Sequence, residues 1–505
     1  MATQLRTNQR IEFGDFQTPP SLAQDVCRLV AEQWDSPRAV LEPTCGRGEF
    51  LVAACATFPS LKLALGVEIS PSYVRVAREA LSQNCGAIPN EILEEDFFGA
   101  DWDAILARLP DPLLVIGNPP WVTNSAVGAL KGSNLPTKTN FQQHPGLDAL
   151  TGKSNFDISE WMLLHLARKL QGRKAVLAML CKTAVARKLL LHGWRQGLIG
   201  QAEIRRIDAK KHFDASVDAC LLFCRFGDMQ PDNVAKVFPH LTSGCPSHII
   251  GLRDNRLVSN IDAYEKTRHF CGGSPWQWRS GIKHDCARVM ELERIGNGFQ
   301  NGLGELVELE EDFLFPMLKS STVASGFVDS PSRWMIVTQQ AVGQDTRPIA
   351  ILAPKTWSYL QSHASLLNRR ASSIYRGRPP FAIFGVGEYS FAPYKVAVSG
   401  LYKRLSFTQI AMYSGRPIVL DDTCSMLACR TEAEARFVVE LLASEAAQSF
   451  FEARIFWDAK RPITNEVLNQ LNLLALANEI SPKHPITTVW NRLYNLRDGG
   501  QQSLF

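Results

Sequence analysis

Ile116-Gly117-Asn118-Pro119-Pro120-Trp121 puts one amide side chain, one backbone carbonyl and one large aromatic ring on a stiff loop. Each proline fixes its own φ, and Pro119 also restricts Asn118. The Asn118 side-chain oxygen and the Pro119 carbonyl are two acceptors, and the Trp121 ring is a surface to stack on. That set suits capture of a planar base carrying an amino group. Alone, the tetrapeptide reads equally well as a proline-rich turn. The apolar run Leu113-Leu114-Val115-Ile116 ahead of it is expected to be a buried parallel strand whose C-terminal end enters the loop.

Three other strand ends precede this one. Ala39 to Glu42, then Pro43-Thr44-Cys45-Gly46-Arg47-Gly48, then Phe50 onward, reads as strand, tight turn and helix. Gly46 and Gly48 permit the turn and a close backbone approach to a ligand. The spacing is not Gly-x-Gly-x-x-Gly and no Lys-Ser/Thr follows, which disfavours dinucleotide and P-loop sites. Leu63 to Val67 is apolar and ends in Glu68, 20 residues after Gly48, followed by Ile69. An acid at such a tip can accept from both ribose hydroxyls of a nucleoside ligand. Asp96 and Phe97 sit where a third strand ends, as an acceptor for an adenine amino group and a stacking ring. Phe13 to Pro20 forms a turn feeding an amphipathic helix with Leu22, Val26, Leu29 and Val30 at helical spacing. In isolation each has a plainer reading: a helix start, a solvent-facing glutamate, a turn acid beside core aromatics.

Taken in order, Gly turn, Glu68, Asp96-Phe97 and Asn118-Pro119-Pro120-Trp121 resemble the S-adenosylmethionine (SAM) binding domain of class I methyltransferases. Asn-Pro-Pro-aromatic resembles motif IV of the DNA amino-methyltransferases. Phe16-Gln17-Thr18-Pro19-Pro20, placed before the Gly turn, resembles the gamma group of N6-adenine DNA methyltransferases, the TaqI-like and Eco57I-like methylases. This implies an α/β, Rossmann-like sheet with helices on both faces, followed by a mixed α+β target-recognition domain. It implies SAM as cofactor, held by Thr18, Pro19, Pro20, Glu42, Thr44, Cys45, Gly46, Gly48, Glu68, Ile69, Asp96, Phe97 and Asn118. Asn118, Pro119, Pro120 and Trp121 would be catalytic. A flipped adenine would stack between Trp121 and Phe213, which comes from a loop before the last hairpin. Trp121 stands where Tyr or Phe is commoner, and Thr44-Cys45 where many SAM enzymes carry glycine.

These tips need a sheet and a partner domain. Helix is expected from Asn155-Phe156-Asp157-Ile158, and strands at Ala175–Leu180, Ile204–Asp208 and Ala219–Phe223. The polar, turn-rich stretch from Phe226 to Asn233 suggests a boundary. The expected domains are therefore 11–228 for catalysis, 229–475 for target recognition and 476–505 as a tail. From Arg369 to Arg404 there are seven Lys/Arg and a single acid, Glu388, interleaved with glycines, hydroxyls and aromatics. Such a loop suits phosphate contact with base-edge reading. Arg376, Arg378, Lys395, Lys403 and Arg404, with Lys460 and Arg461, are the candidate DNA contacts. The region resembles the specificity domain of the same methylases. Phe437 to Phe451 reads as a supporting amphipathic helix, and His284-Asp285-Cys286 as a turn or a base-contacting loop. The Lys/Arg between Lys182 and Lys211 fit a phosphate-facing edge or a solvated helix face.

Composition sets limits on this picture. The 505 residues allow two or more domains, and 45% hydrophobic with 21% charged is ordinary for a globular chain. A net charge of +4 confines any nucleic-acid surface to a local patch. The twelve cysteines form no CxxC pair, so reduced core thiols are expected and no metal site. No stretch is long and apolar enough to span a membrane. The partners implied are double-stranded DNA and a cognate restriction endonuclease or defence-system subunits, in a prokaryotic, nucleoid-associated, cytoplasmic setting. Competing readings are an RNA or protein-glutamine methyltransferase, or a catalytically silent DNA-recognition subunit. The basic C-terminal region argues against glutamine methylation, and the complete set of strand tips against a silent subunit.

Overall fold

The computed structural model describes residues 16–34, 36–122, 157–227, 232–296, 298–326 and 331–495. The opening turn at Phe13–Asp15, the helix start at Asn155-Phe156 and the turn residues 228–231 lie outside them. The chain divides into two units, Met1–Ile261 and Asp262–Phe505.

In the first unit, strands and helices alternate. They are α1 (Pro20–Gln33), β1 (Ala39–Glu42), α2 (Glu49–Thr57), β2 (Leu63–Glu68), α3 (Pro71–Asn84), β3 (Asn90–Glu94), α4 (Trp102–Ala107) and β4 (Leu113–Gly117). After the undescribed segment come α5 (Ile158–Lys169), β5 (Ala175–Lys182), α6 (Thr183–Arg195), β6 (Ala202–Ile207), α7 (Ala209–Phe213) and β7 (Ala219–Phe226). The sheet order is β3-β2-β1-β4-β5-β7-β6, with β1 to β5 parallel and β7 antiparallel to both neighbours. The order reverses between β1 and β4, which makes the C-terminal edge there a natural crevice for a ligand.

Every residue of β1 and β4 is buried, which is why Ala39–Leu41 and Leu113–Ile116 read as unbroken apolar runs. Leu22, Val26 and Val30 of α1 pack with Phe50, Leu51 and Ala54 of α2 and with Val40, Leu114 and Ile116 of the sheet. Pro20 opens α1 at a position where a missing N–H costs nothing. Gly46 (φ 52°) and Gly48 (φ 82°) take the left-handed conformation that lets β1 turn directly into α2.

The sheet does not stop at the expected boundary. β8 (Val234–Phe238) pairs in parallel with β6, and β9 (His248–Arg253) and β10 (Arg256–Val258) follow as antiparallel neighbours. The division between units falls at Ile261 and Asp262, not at 228 and 229. The open edge of β6 offered unpaired backbone groups to the next extended segment. A polar stretch that serves as a turn within a sheet has the same composition as one that links domains.

The second unit has two sheets among its described residues. Strands β12 (Glu291–Ile295), β13 (Gly298–Asn301), β14 (Leu306–Val307), β15 (Leu314–Leu318), β16 (Arg333–Ile336) and β19 (Val419–Leu420) form one, in the order β14-β13-β12-β16-β15-β19. β11 (Arg279–Ser280), β17 (Tyr394–Ser399), β18 (Phe407–Ile410) and β20 (Cys424–Cys429) form the other, in the order β11-β20-β17-β18. Val396, Val398 and Leu427 of this smaller sheet pack under Phe437, Leu441, Phe450 and Phe451. The helix expected over 437–451 is two, Glu432–Ala443 and Glu445–Glu452, parted at Ser444, whose hydroxyl accepts from Ala447 N. The expected cut at 475 falls inside the helix Leu473–Ile480. The next helix, Pro485–Asn495, seats Trp490 against Trp276 with ring centroids 4.1 Å apart. Ile486 and Trp490 of the expected tail thus belong to this core.

Cys55 of α2 and Cys85 at the end of α3 form a disulfide, where a reduced pair was expected. The two helices are packed neighbours, and Cα atoms 5.3 Å apart are within bridging reach. A separation of 30 residues gives no sign of this in the sequence. The other ten cysteines are free thiols.

Candidate active site

Because β3, β2, β1 and β4 are parallel neighbours, their C-terminal tips share one edge. Glu68 is the anchor at the centre of it. It is buried, its Oε2 accepts from Gly46 N at 2.8 Å, and its Oε1 accepts from Ser70 N at 2.8 Å. Each oxygen is fixed by a backbone donor, which sets the orientation of the carboxylate at this edge. The neighbouring Glu42 is fully buried at the tip of β1. Burial pushes its carboxyl well above the usual carboxylate range; a backbone bond at Leu51 opposes this, and Glu68 and Glu49 add to it. Glu42 Oε2 and Thr44 Oγ1 are buried without a hydrogen-bond partner in the protein. Buried polar atoms are nearly always satisfied, so this pair marks a place where a polar ligand fits.

At the tip of β3, half-buried Asp96 accepts from Phe98 N at 3.1 Å through Oδ1. The Phe97 ring is buried 4.6 Å from the Trp102 ring, and Trp102 Nε1 donates to the Phe97 carbonyl at 2.9 Å. Trp161 and His165 of α5 stack on each other at 5.0 Å and extend this aromatic wall to Phe97. Burial, helped by Lys169 and Arg168, pushes the His165 imidazole down, and its Nε2 is another buried atom without a partner. The sequence reading missed both residues. Their four-residue spacing on a helix face was the available signal.

The loop after β4 is tied to the N-terminal segment. Asn118 Nδ2 donates to the Phe16 carbonyl at 2.9 Å and to Thr18 Oγ1 at 3.3 Å. A carbonyl can only accept, so it must face the amide NH2 and not the amide oxygen. Asn118 Oδ1 is thereby turned the other way, buried and without a partner. Trp121 is buried, with its Nε1 donating to the Leu180 carbonyl at 3.4 Å. Its ring lies 5.7 Å from Phe16 and 5.1 Å from Phe213, which meets it edge-on. The structure thus brings the two expected stacking residues together, but not as an open sandwich. A base stacked between two rings needs centroids about 7 Å apart, twice a normal contact distance. Trp121 and Phe213 must part, or the base must use one of them.

No family model matches the chain. The type II methyltransferase M.NspV of Nostoc sp. (strain ATCC 29411 / PCC 7524) is 44% identical over 475 residues, covering 93% of this chain and 98% of that protein. The chain belongs to the type II methyltransferases. A second relative, the type II methyltransferase M.CvrRI of Paramecium bursaria Chlorella virus XZ-6E, is 33% identical over 121 residues, 24% of this chain and 27% of that one. Among solved structures, the type IIL restriction-modification enzyme MmeI in complex with DNA matches with a TM-score of 0.55. That match covers 96% of this chain and 74% of MmeI at 11% identity, a likeness of fold. The first unit of this methyltransferase is accordingly a Rossmann-like α/β sheet.

The expected DNA contacts of the methyltransferase lie in its second unit. Arg376 and Arg378 are exposed on either side of Gly377, in a loop with a stiff base. The Arg370 guanidinium covers the Tyr375 ring at 3.7 Å and donates to the Ala382 carbonyl at 2.7 Å. Lys403, Arg404, Lys460 and Arg461 are exposed as well. Arg461 Nη1 donates to the Asp422 carbonyl at 3.2 Å, and Gly400 N donates to the Thr423 carbonyl at 2.8 Å. Burial and then Asp285 push the Tyr375 hydroxyl up, and Asp422 adds to it. Gly400, ahead of Lys403 and Arg404, and Arg461 are therefore both bonded to the backbone of the Asp422-Thr423 turn. His284 and Asp285 form a turn: His284 is buried with Nδ1 accepting from Cys286 N, and Asp285 takes φ 52°.

Lys395 is a correction. It is 1% exposed on β17 and cannot reach a phosphate; its Nζ donates to the Ala392 carbonyl at 2.6 Å. Its cross-strand neighbours Ile410 and Ala428 are buried, so the face that alternation assigns to solvent is covered. Burial brings its ammonium down from an ordinary 10.5 to about 7. Between those values the unfolded chain holds a proton that the folded chain lacks, so stability rises with pH across that window. The slope from this group is at most about 1.4 kcal/mol per pH unit. Lys395→Met is expected to remove that slope and to be the more stable form at pH 6. Denaturant unfolding from pH 6 to 9 checks this, and an unchanged slope would contradict it.

Proposed function

We propose that this methyltransferase transfers a methyl group from SAM to the exocyclic N6 of an adenine flipped out of duplex DNA, as part of a restriction–modification system. One observation carries the reading: the oriented, unpartnered Asn118 Oδ1 on a Pro-Pro loop, at the same sheet edge as the Glu68 tip. Glu68 would accept from the ribose hydroxyls of SAM. Asp96, Phe97 and Ile69 would hold its adenine, and Thr18, Pro19, Pro20, Thr44 and Glu42 its methionine end. Cys45, Gly46 and Gly48 shape the turn beneath. When bound, SAM supplies an electrophilic methyl group.

The remaining chemistry belongs to the chain. An adenine amino nitrogen is a poor nucleophile because its lone pair is delocalised into the ring. Asn118 Oδ1 and the Pro119 carbonyl would accept its two N–H bonds and turn the lone pair out of the ring plane. Both oxygens also stabilise the positive charge that develops on nitrogen, as oriented dipoles that need no reorganisation. No strong base is required before attack, because the proton leaves a nitrogen that is already cationic. Flipping costs a few kcal/mol. Stacking on Trp121 or Phe213 offsets about 1–3 kcal/mol per ring.

The exposed arginines support a nucleic-acid substrate over protein, and membership of the type II methyltransferases supports duplex DNA over RNA. Arg376→Ala and Arg378→Ala are each expected to weaken DNA binding, with SAM affinity unchanged. Each should lower the slope of log affinity against log salt by about one if it contacts phosphate. Unaltered DNA affinity in both would remove the loop from the interface. Radiolabelled SAM offered with duplex DNA, RNA and protein tests the substrate class, and label on protein or RNA alone would overturn the reading. A cognate endonuclease of the same specificity would be the partner, and the enzyme would act where the cell keeps its DNA. Among the described residues, no helix is long and apolar enough to cross a membrane.

A further inference from the structure

We propose that Lys182 is a positioning residue for the target base, acting through the backbone of Trp121. The inference rests on the reading of Asn118 to Trp121 as the receiver of that base. Lys182 is the last residue of β5, which runs parallel to β4 with Gly117 opposite Met179. It therefore stands just beyond the edge where the Asn-Pro-Pro-Trp loop leaves the sheet. Its Nζ donates to the Trp121 carbonyl at 3.0 Å and to Asp157 Oδ2 at 2.6 Å.

Asp157 is itself immobilised. It is 8% exposed and caps α5, its Oδ1 accepting from Ser159 N at 3.1 Å and from Ser159 Oγ at 2.5 Å. Ile158 N donates to the Val122 carbonyl at 2.9 Å, so the loop's exit and the start of α5 are bonded a second time. Leu180, two residues before Lys182, accepts from the Trp121 indole through its carbonyl. One strand thus holds Trp121 at both ends, the backbone by a lysine side chain and the ring by a main-chain oxygen. A residue held twice cannot slide or turn, and the same grip sets how far its ring stands from Phe213. The Asp157 carboxylate neutralises the ammonium, so Lys182 contributes a fixed bond beside the site without an opposing charge.

The tests are Lys182→Met, which keeps the stem and removes the donor, Lys182→Arg, and Asp157→Asn. Single-turnover methylation is expected to fall about 10–100-fold in Lys182→Met, the cost of a reacting group misplaced by roughly an ångström. SAM affinity and melting temperature should stay near wild type, and Lys182→Arg should recover part of the rate. Duplex DNA carrying 2-aminopurine at the adenine that the wild type methylates should give a weaker flipping signal. Wild-type rate and signal in Lys182→Met would overturn the proposal, as would SAM affinity and melting temperature falling together with the rate. If Lys182→Met does not fold, Asp157→Asn decides: slowed transfer supports the latch and an unchanged rate overturns it. A wild type that labels no adenine removes the underlying reading and the latch with it. A wild type that does so, beside an equally active Lys182→Met, removes the latch alone.

Discussion

Asn118→Ala is expected to abolish methyl transfer and to lower SAM affinity far less. The structure gives the Asn118 amide two separate tasks. Its NH2 is used on the Phe16 carbonyl and Thr18, and its oxygen is left buried and unpaired. Alanine removes both. Loss of one preorganised dipole at a reacting centre costs about 10²–10³ in rate, and here the loop's link to the N-terminal segment is lost as well. Asn118→Asp sharpens the test because it keeps an acceptor. One carboxylate oxygen would then face the Phe16 carbonyl, oxygen against oxygen, and the side chain would turn away. Asp is therefore expected to fail almost as completely as Ala. Single-turnover rates with saturating DNA, together with calorimetric SAM titrations, check both variants. Near wild-type transfer in Asn118→Ala would remove the role assigned to Asn118.

Glu68→Gln is expected to cost most of the SAM affinity although it is nearly isosteric. Both carboxylate oxygens accept from backbone N–H groups, of Gly46 and of Ser70. An amide can offer oxygen to only one of them, so its NH2 must face the other donor. The turn that carries Gly46 is then pushed away, and the negative charge that orders both donors is lost. Leaving a buried donor unsatisfied costs about 1–3 kcal/mol, and bonds to a charged group are worth about 1.5–3 kcal/mol. Together these correspond to a rise in Kd of roughly two orders of magnitude or more. Titration calorimetry with SAM reads this directly, and an affinity within a few-fold of wild type would contradict the assignment of Glu68 to the cofactor.

Three of the four strand tips were legible because each sits where an apolar run stops and a turn residue begins; Asp96-Phe97, after the mixed strand Asn90–Glu94, was placed by its order in the chain. The chain order of those tips then implied their adjacency, and the parallel sheet places them on one edge. Features set by packing between distant segments were not legible. The polar stretch near 228 looked like a linker, yet an open edge at β6 recruited three further strands. Lys395 looked like a surface cation, yet both faces of its strand are covered. Trp161 and His165 carried only a helical spacing and no chemistry of their own, until the Phe97 ring was placed beside them. Phe213 was picked out by its position, but its edge-on contact with Trp121 could not be read from either residue.

The central claim is that the unpaired Asn118 oxygen receives an adenine amino group from DNA. Duplex DNA incubated with the protein and SAM bearing a deuterated methyl group, then digested to nucleosides and weighed by mass spectrometry, tests it most directly. Labelled N6-methyladenine, lost in Asn118→Ala, is the predicted result. Label on cytosine, or no label on DNA from a protein that binds SAM, would contradict it.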